Sequence, residues 1–292
     1  MARGSVARGV HIVTAPVVFA DAGAMGVALA VEIADGIEQS RRRGERYLLG
    51  CPGGRSPRTT YAALAQIVRE RVLDLRHVVI VMMDDYVIDD GDGPRRIDPG
   101  MHCSVERFAH HEIVGPLNAA APECMGISPD NVWLPDASSP QAYDARLREA
   151  GGINLFILAS GDSDGHVAFN PPGSLRQSRT RIIDLAESTR RDNLGTFPEF
   201  TSLDDVPRQG ISVGIATIID NTHRAVLVAP GESKRTAVRR ISALDDYDPD
   251  WPASVLVCCR HFSLYADLQS APSPEEAASP SWASTERNEV HT

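Results

Sequence analysis

Lysine is almost absent from this chain: Lys234 is the only one among 29 basic residues. The skew toward arginine is most simply a genomic composition bias. A retained lysine therefore marks a place where a compact ammonium differs from a guanidinium, as it does at a phosphate. Cysteine is scarce as well. The five (Cys51, Cys103, Cys124, Cys258 and Cys259) are odd in number and form no CxxC pair. That pattern argues against a disulfide framework or a zinc ribbon and leaves each as a small buried hydrophobe. No apolar run spans a bilayer: residues 22–31 are bounded by Asp21 and Glu32 and reach about half of the ~20 residues required. Without a basic, apolar, small-residue leader before that run, the expected location is cytoplasmic and no membrane partner is expected. A basic excess is also missing, with 39 acidic residues giving a net charge of −10, so a nucleic-acid partner is not expected either.

What remains is ordinary for a globular protein. The 292 residues, 42% hydrophobic and 23% charged, suffice for one large α/β domain or two small ones. Apolar spacing over 22–37 predicts a helix facing a core. Residues 47–50 (YLLG) read as a short buried strand, then the turn 52–57 (PGGRSP), then a helix starting at Pro57 with Ser56 as its N-cap. Continuous apolar runs at 77–83, 155–158, 225–228 and 255–259 read as further buried strands. Strands alternating with amphipathic helices predict an α/β, Rossmann-like, mostly parallel sheet with helices on both faces. In such sheets ligands bind beyond the carboxyl ends of the strands, where this chain repeatedly places polar, glycine-rich segments. Residues 1–268 are expected to form a single domain. Residues 269–292, rich in Ser, Pro, Ala and Glu, are expected to be a disordered tail, and 89–99 a flexible loop beside the crevice. No internal repeat is found.

Three of those segments can carry chemistry. The turn containing Gly53, Gly54 and Ser56 offers backbone N–H groups at a helix start, a natural phosphate cradle, although the Walker lysine and spacing are missing. The Gly231-Glu232-Ser233-Lys234 turn repeats that geometry and supplies the one lysine. Asp84 and Asp85 end a buried run. An Asp pair there commonly caps a helix or faces solvent, but a partly desolvated carboxylate with a raised pKa also suits proton transfer. Asp89 and Asp90 lack ligand spacing, so no metal is expected. Asp164-Gly165-His166 is the sharpest local signal, because a carboxylate close to an imidazole can fix its tautomer and glycine lets the turn close tightly. A Gly-x-Ser-x-Gly elbow is lacking, which argues against a serine hydrolase.

Taken together, LLGCPGGRSPRTTY, VVIVMMDDYV, DGHVAFNPP, SRTRIIDLAESTR and VGIATIIDNTHRAVLVAPGESK, in this order, resemble the glucosamine-6-phosphate deaminase/isomerase family, which is related to the 6-phosphogluconolactonases. The resemblance covers about residues 17–267. It implies an enzyme without a redox cofactor that opens the ring of an amino-sugar phosphate, moves a proton between C2 and C1 and expels ammonia. By that resemblance Asp84 is the proton-shuttling base, His166 the ring-opening histidine and Asp164 its orienting carboxylate. Arg190 and Lys234 hold the phosphate with Gly53, Gly54 and Ser56, while Asp85, Gly165, Ala168 and Asn170 contact substrate.

The departures are specific. Pro171 stands where the deaminases place a third catalytic carboxylate, and Asp162 stands where they place glycine, so Asp162 is a candidate replacement partner for His166. Ile183, two residues beyond Arg181, stands where allosteric bacterial members carry an effector-binding lysine, so that switch is not expected. These differences leave open a divergent isomerase, epimerase or dehydratase on another sugar or cyclitol phosphate, a lactonase-type hydrolase, or a non-catalytic sugar-phosphate sensor. Assembly into a homo-oligomer is equally open.

Overall fold

The computed structural model describes residues 14–89 and 91–277. Strand β1 (Val17–Phe19) leads into α1 (Ala22–Arg43), whose first turn is closed by the Asp21 carboxylate accepting from the Ala24 N–H at 2.8 Å. Then come β2 (Tyr47–Cys51), α2 (Arg58–Arg71), β3 (Val78–Met82), β4 (Asp84–Asp89) and β5 (Pro94–Arg96). Short helices α3 (Val105–Phe108) and α4 (Gly115–Ala120) precede β6 (Val132–Trp133), α5 (Pro140–Glu149), β7 (Leu155–Leu158), β8 (Arg181–Asp184) and α6 (Glu187–Thr196). The chain closes with β9 (Gln209–Ser212), α7 (Ile215–Asn221), β10 (Ala225–Ala229), α8 (Arg235–Ser242), β11 (Phe262–Asp267) and α9 (Pro274–Ala277).

Seven strands pair in the order β1-β11-β10-β7-β2-β3-β6, and all of these pairings are parallel. Successive strand side chains point to opposite faces, and both faces are buried here. Tyr47, Leu49 and Cys51 of β2 join Val78, Ile80 and Met82 of β3 beneath α1 and α2. Leu48, Val79 and Val81 enter the opposite core with residues of α5, α7 and α8. This is the expected α/β sheet with helices on both faces.

Four details differ from the sequence reading. The 255–259 run is not a strand: Pro252–Cys258 forms a 3-10 helix, because Pro252 fixes a helical φ and needs no donor in a first turn. The strand that follows is β11, between β1 and β10, whose apolar residues are interrupted by polar ones. Ser56 does not cap α2, whose cap position is Pro57 without a side-chain hydrogen bond. The expected flexible loop at 89–99 instead contains an antiparallel β4–β5 ladder, with Val87 opposite Arg96 and Asp89 opposite Pro94; Asp90 lies outside the described residues. Finally, order continues past 268. Ser270 is buried with its hydroxyl donating to the Ala229 carbonyl at 2.6 Å, and Glu276 pairs with Arg235. Residues 278–292 of the expected tail lie outside the described residues.

A second, antiparallel sheet, β5-β4-β9-β8, was not foreseen. Its strand β4 starts at Asp84, with only Met83 between it and the end of β3. Among the described residues no helix is long and apolar enough to cross a membrane.

Gly50 lies opposite Phe156 in the ladder between β2 and β7, where a Cβ would stand 2.1 Å from the ring. Gly50→Ala should therefore overpack this joint and cost about 1–3 kcal/mol. A thermal melt should show a Tm several degrees lower, and an unchanged Tm would show that the ring gives way freely.

Candidate active site

The chain runs outward from β2 through β3 to β6, then returns to place β7 on the other side of β2 and runs the opposite way through β10 and β11. The carboxyl ends at such a reversal leave a crevice between diverging turns. The turns after β2, β3, β7 and β10 line one cavity of about 370 Å³ there. Gly53, Gly54, Ser56, Asp84, Asp162, His166, Ala168 and Lys234 all face it.

One corner gathers backbone N–H groups and cationic side chains. Gly54 sits at φ 83°, a left-handed turn that glycine adopts without steric cost, and Arg55 and Ser233 face the cavity beside it. The Lys234 ammonium donates to the Ser160 carbonyl at 2.5 Å and forms an ion pair with Asp162. Burial pushes the Asp162 carboxyl up, but the Lys234 bond and charge, the Ser233 hydroxyl and Arg55 together hold it below its ordinary value. Asp162 is thus Lys234's partner, and not the replacement partner of His166.

That role belongs to Asp164. Its Oδ1 stands 2.7 Å from His166 Nδ1 and accepts the His166 backbone N–H at 3.0 Å, while Ser188 donates to Oδ2. Burial raises the Asp164 carboxyl, yet these bonds and the nearby ring outweigh it and leave it lowered. An ionised carboxylate only accepts, so Nδ1 carries the proton and Nε2 of the neutral ring is left as the base. The loop that holds this pair is closed by the Gly161 N–H donating to the His166 carbonyl at 2.8 Å. Gly161 also allows close approach, since a Cβ there would lie 2.2 Å from His166 Nδ1.

Asp84, the first residue of β4, is only 6% exposed. Burial first, and the neighbouring Asp85 second, push its carboxyl up to about 8. The wall beside it is apolar, with Met83, Val105, Phe108 and Phe169. Tyr86 lines the cavity too, and its buried hydroxyl has no hydrogen-bond partner among the described residues. Ala168 adopts φ 51° at the cavity wall, a strained conformation for a residue with a Cβ, of the kind concentrated at functional sites.

Five expected site residues are not among those lining the cavity. Asp164 reaches it only through His166, to whose Nδ1 it is bonded. Strand alternation turns Asp85 away from Asp84; it accepts the Val105 and Tyr86 N–H groups at 3.0 and 2.8 Å and faces Arg96. Gly165 packs on Trp251, where a Cβ would come within 2.1 Å of the indole. Asn170 donates to the Val167 and Val213 carbonyls and accepts from Arg181, which ties its loop to β9. Arg190 is buried, and its guanidinium donates to the Leu203 and Val206 carbonyls. The physical reason is helical phase: α6 turns its first residues Ser188 and Thr189 toward the Asp164–His166 pair. Residue 190 is about 200° from residue 192 around that helix, and it is Asp192 that reaches the cavity.

Asp192, Asn193 and Thr196 of α6 and Phe197 just after it line the cavity as well, and the sequence reading missed them. The available signal was spacing, since residues 188, 189 and 192 share one helical face. Burial pushes the Asp192 carboxyl up; His166 and Lys234 act against that and Asp162 and Asp164 reinforce it. Among the described residues no group of three or more His, Cys, Asp or Glu side chains is placed to hold a metal ion.

Comparison with known proteins places the chain in a family by sequence and supports the fold. The sequence model described as glucosamine-6-phosphate isomerases/6-phosphogluconolactonase matches residues 20–265. A glucosamine-6-phosphate deaminase of Arthrobacter sp. (strain FB24) is 37% identical over 212 residues, 70% of this chain and 74% of that protein. The deaminase of Rhodococcus opacus (strain B4) is 35% identical over 241 residues, 82% of this chain and 86% of the relative. Among solved structures, a monomeric glucosamine-6-phosphate deaminase superposes with a TM-score of 0.74 at 24% identity, over 88% of this chain and 98% of its own. A 6-phosphogluconolactonase from Shewanella baltica OS155 gives 0.62 at 17% identity, over 87% and 97%. At these identities the two structures speak for the fold alone.

The raised pKa of Asp84 has a consequence for stability. An acid whose folded pKa lies above its unfolded value binds more protons in the folded state, so its presence costs stability as pH rises from about 4 to about 8. Asp84→Asn removes that cost. The Tm of the variant minus that of the wild type should increase between pH 5 and pH 8.5, and a pH-independent difference would contradict a desolvated acid at this position.

Proposed function

The chain belongs to the glucosamine-6-phosphate isomerase/6-phosphogluconolactonase family, and on that premise we propose how its own residues deaminate a phosphorylated amino sugar. Relatives at 35–37% identity are named glucosamine-6-phosphate deaminases, so this is a sugar-phosphate enzyme of the deaminase kind. The observation that carries the assignment of roles is one cavity holding three unlike groups: a desolvated acid, a carboxylate-fixed imidazole and an anion corner with the single lysine.

In this reading Lys234, Arg55 and the turn at Gly53, Gly54 and Ser56 hold the phosphate by charge and backbone donors. That end of the sugar then points its far carbons toward Asp84. His166 Nε2 takes the anomeric hydroxyl proton and delivers it to the ring oxygen as the C1–O bond of the ring breaks, which opens the ring. Asp84, as the carboxylate, removes the proton from C2 to give an enolamine and returns it to C1. The resulting C2 iminium adds water and loses ammonia, leaving the ketose phosphate. Burial favours a base that is neutral at rest and strongly basic once ionised. Asp192, on the same wall, offers a carboxylate to the substrate ammonium.

Coupled detection of ammonia and fructose 6-phosphate from glucosamine 6-phosphate tests this. Wild type should release both in equal amounts. Asp84→Asn should lower kcat by about 10²–10⁴-fold, the usual range for a lost proton-transfer group, while Lys234→Met should chiefly raise KM. Hydrolysis of 6-phosphogluconolactone that survives Asp84→Asn, with no ammonia from the amino sugar, would overturn the reading in favour of a hydrolase that uses His166 alone.

A further inference from the structure

The anion corner already contains an anion. Asp162 is ion-paired with Lys234, whose side chain is only 12% exposed. Arg55 and Ser233 act on the same carboxylate. These groups come from the turns after β2 and β10 and meet Asp162 on the turn after β7, so the Asp162 oxygens lie among the groups that face a ligand's anionic end. The Asp162 side chain is 35% exposed and has a route to solvent if Lys234 is claimed by something else. Lys234 keeps a second hold on the Ser160 carbonyl, so releasing Asp162 does not free the ammonium to wander.

We propose that Asp162 sets the charge of the anion corner, competing with the bound phosphate for Lys234. Counting Arg55, Lys234 and Asp162, the corner presents one net positive charge in place of two. A phosphate ester then binds by exchange: its oxygens replace the carboxylate on the ammonium, and Asp162 turns outward. The affinity for the dianion is held down, and the product ester is released as the carboxylate returns. This rests on the placement of phosphate at Lys234 given above, and it adds a specificity-determining residue that does not touch the reacting carbons.

Sulfate, whose two charges do not titrate near neutral pH, is a suitable probe, with calorimetric binding to the full chain and a thermal melt for each variant. Asp162→Asn should bind sulfate about tenfold more tightly than wild type, equivalent to ~1.4 kcal/mol. Asp162→Ser, the second neutral variant, should do the same should the amide misfold. Asp162→Glu keeps the charge and should keep the wild-type affinity, and Lys234→Met should abolish binding. A merely structural Asp162 would lower the affinity when replaced, or leave it unchanged. Equal or weaker binding by both neutral variants, with Lys234→Met still abolishing it, overturns the proposal and leaves the phosphate anchor standing. Failure of wild type and of both neutral variants to bind sulfate overturns the anchor and the proposal together.

Discussion

A buried strand has to pair its N–H and C=O groups along both edges, and the central strands here do so in an order that reverses between β2 and β7. That reversal is the constraint from which the site follows. Because all pairings of the large sheet are parallel, every strand delivers its carboxyl end to the same side. Because the chain leaves β2 in one direction and β7 in the other, the turns that follow them diverge and leave room between. Gly53–Ser56, Asp162–His166 and Ser233–Lys234 are far apart in sequence and meet only for this reason.

The site then sorts its carboxylates by environment. Asp164 is charged because a ring nitrogen, a backbone N–H and a hydroxyl face it. Asp162 is charged because an ammonium does. Asp84 has an apolar wall and a neighbouring acid, so its proton is retained to a much higher pH. Three identical functional groups thereby acquire three environments from burial and hydrogen bonding alone, and the orienting, charge-setting and proton-transferring roles proposed above follow from them. Asp85, next to Asp84 in sequence, is spent on the backbone of α3 and on Arg96.

Much of this was legible in the residues. Buried parallel strands read as unbroken apolar runs, so 47–50, 77–83, 155–158 and 225–228 announced themselves, and the polar turns after them marked the crevice. The single lysine and the Asp164-Gly165-His166 segment pointed at the same place. What stayed hidden depends on phase or on distant pairing. The small antiparallel sheet forms between segments over a hundred residues apart, with Asp84 opposite Ser212, and nothing local in either segment signals the other. Arg190 and Asp192 differ by two positions on α6, and only the docking of that helix decides which one faces inward. The 255–259 run is apolar enough for a strand, but the proline before it starts a helical turn. Asp162 was legible as an unusual carboxylate, although its partner was not.

The scarcity of lysine gives the anchor a property that its role does not require. In a chain with one such side chain, amine-directed reagents have a single ε-amino group to modify, and it lies at the wall of the cavity. With its side chain only 12% exposed and paired with Asp162, that amine can be reached only through the cavity. On the phosphate placement proposed above, a bound ester covers that amine, and its modification, read by mass spectrometry without any engineered label, becomes a gauge of occupancy.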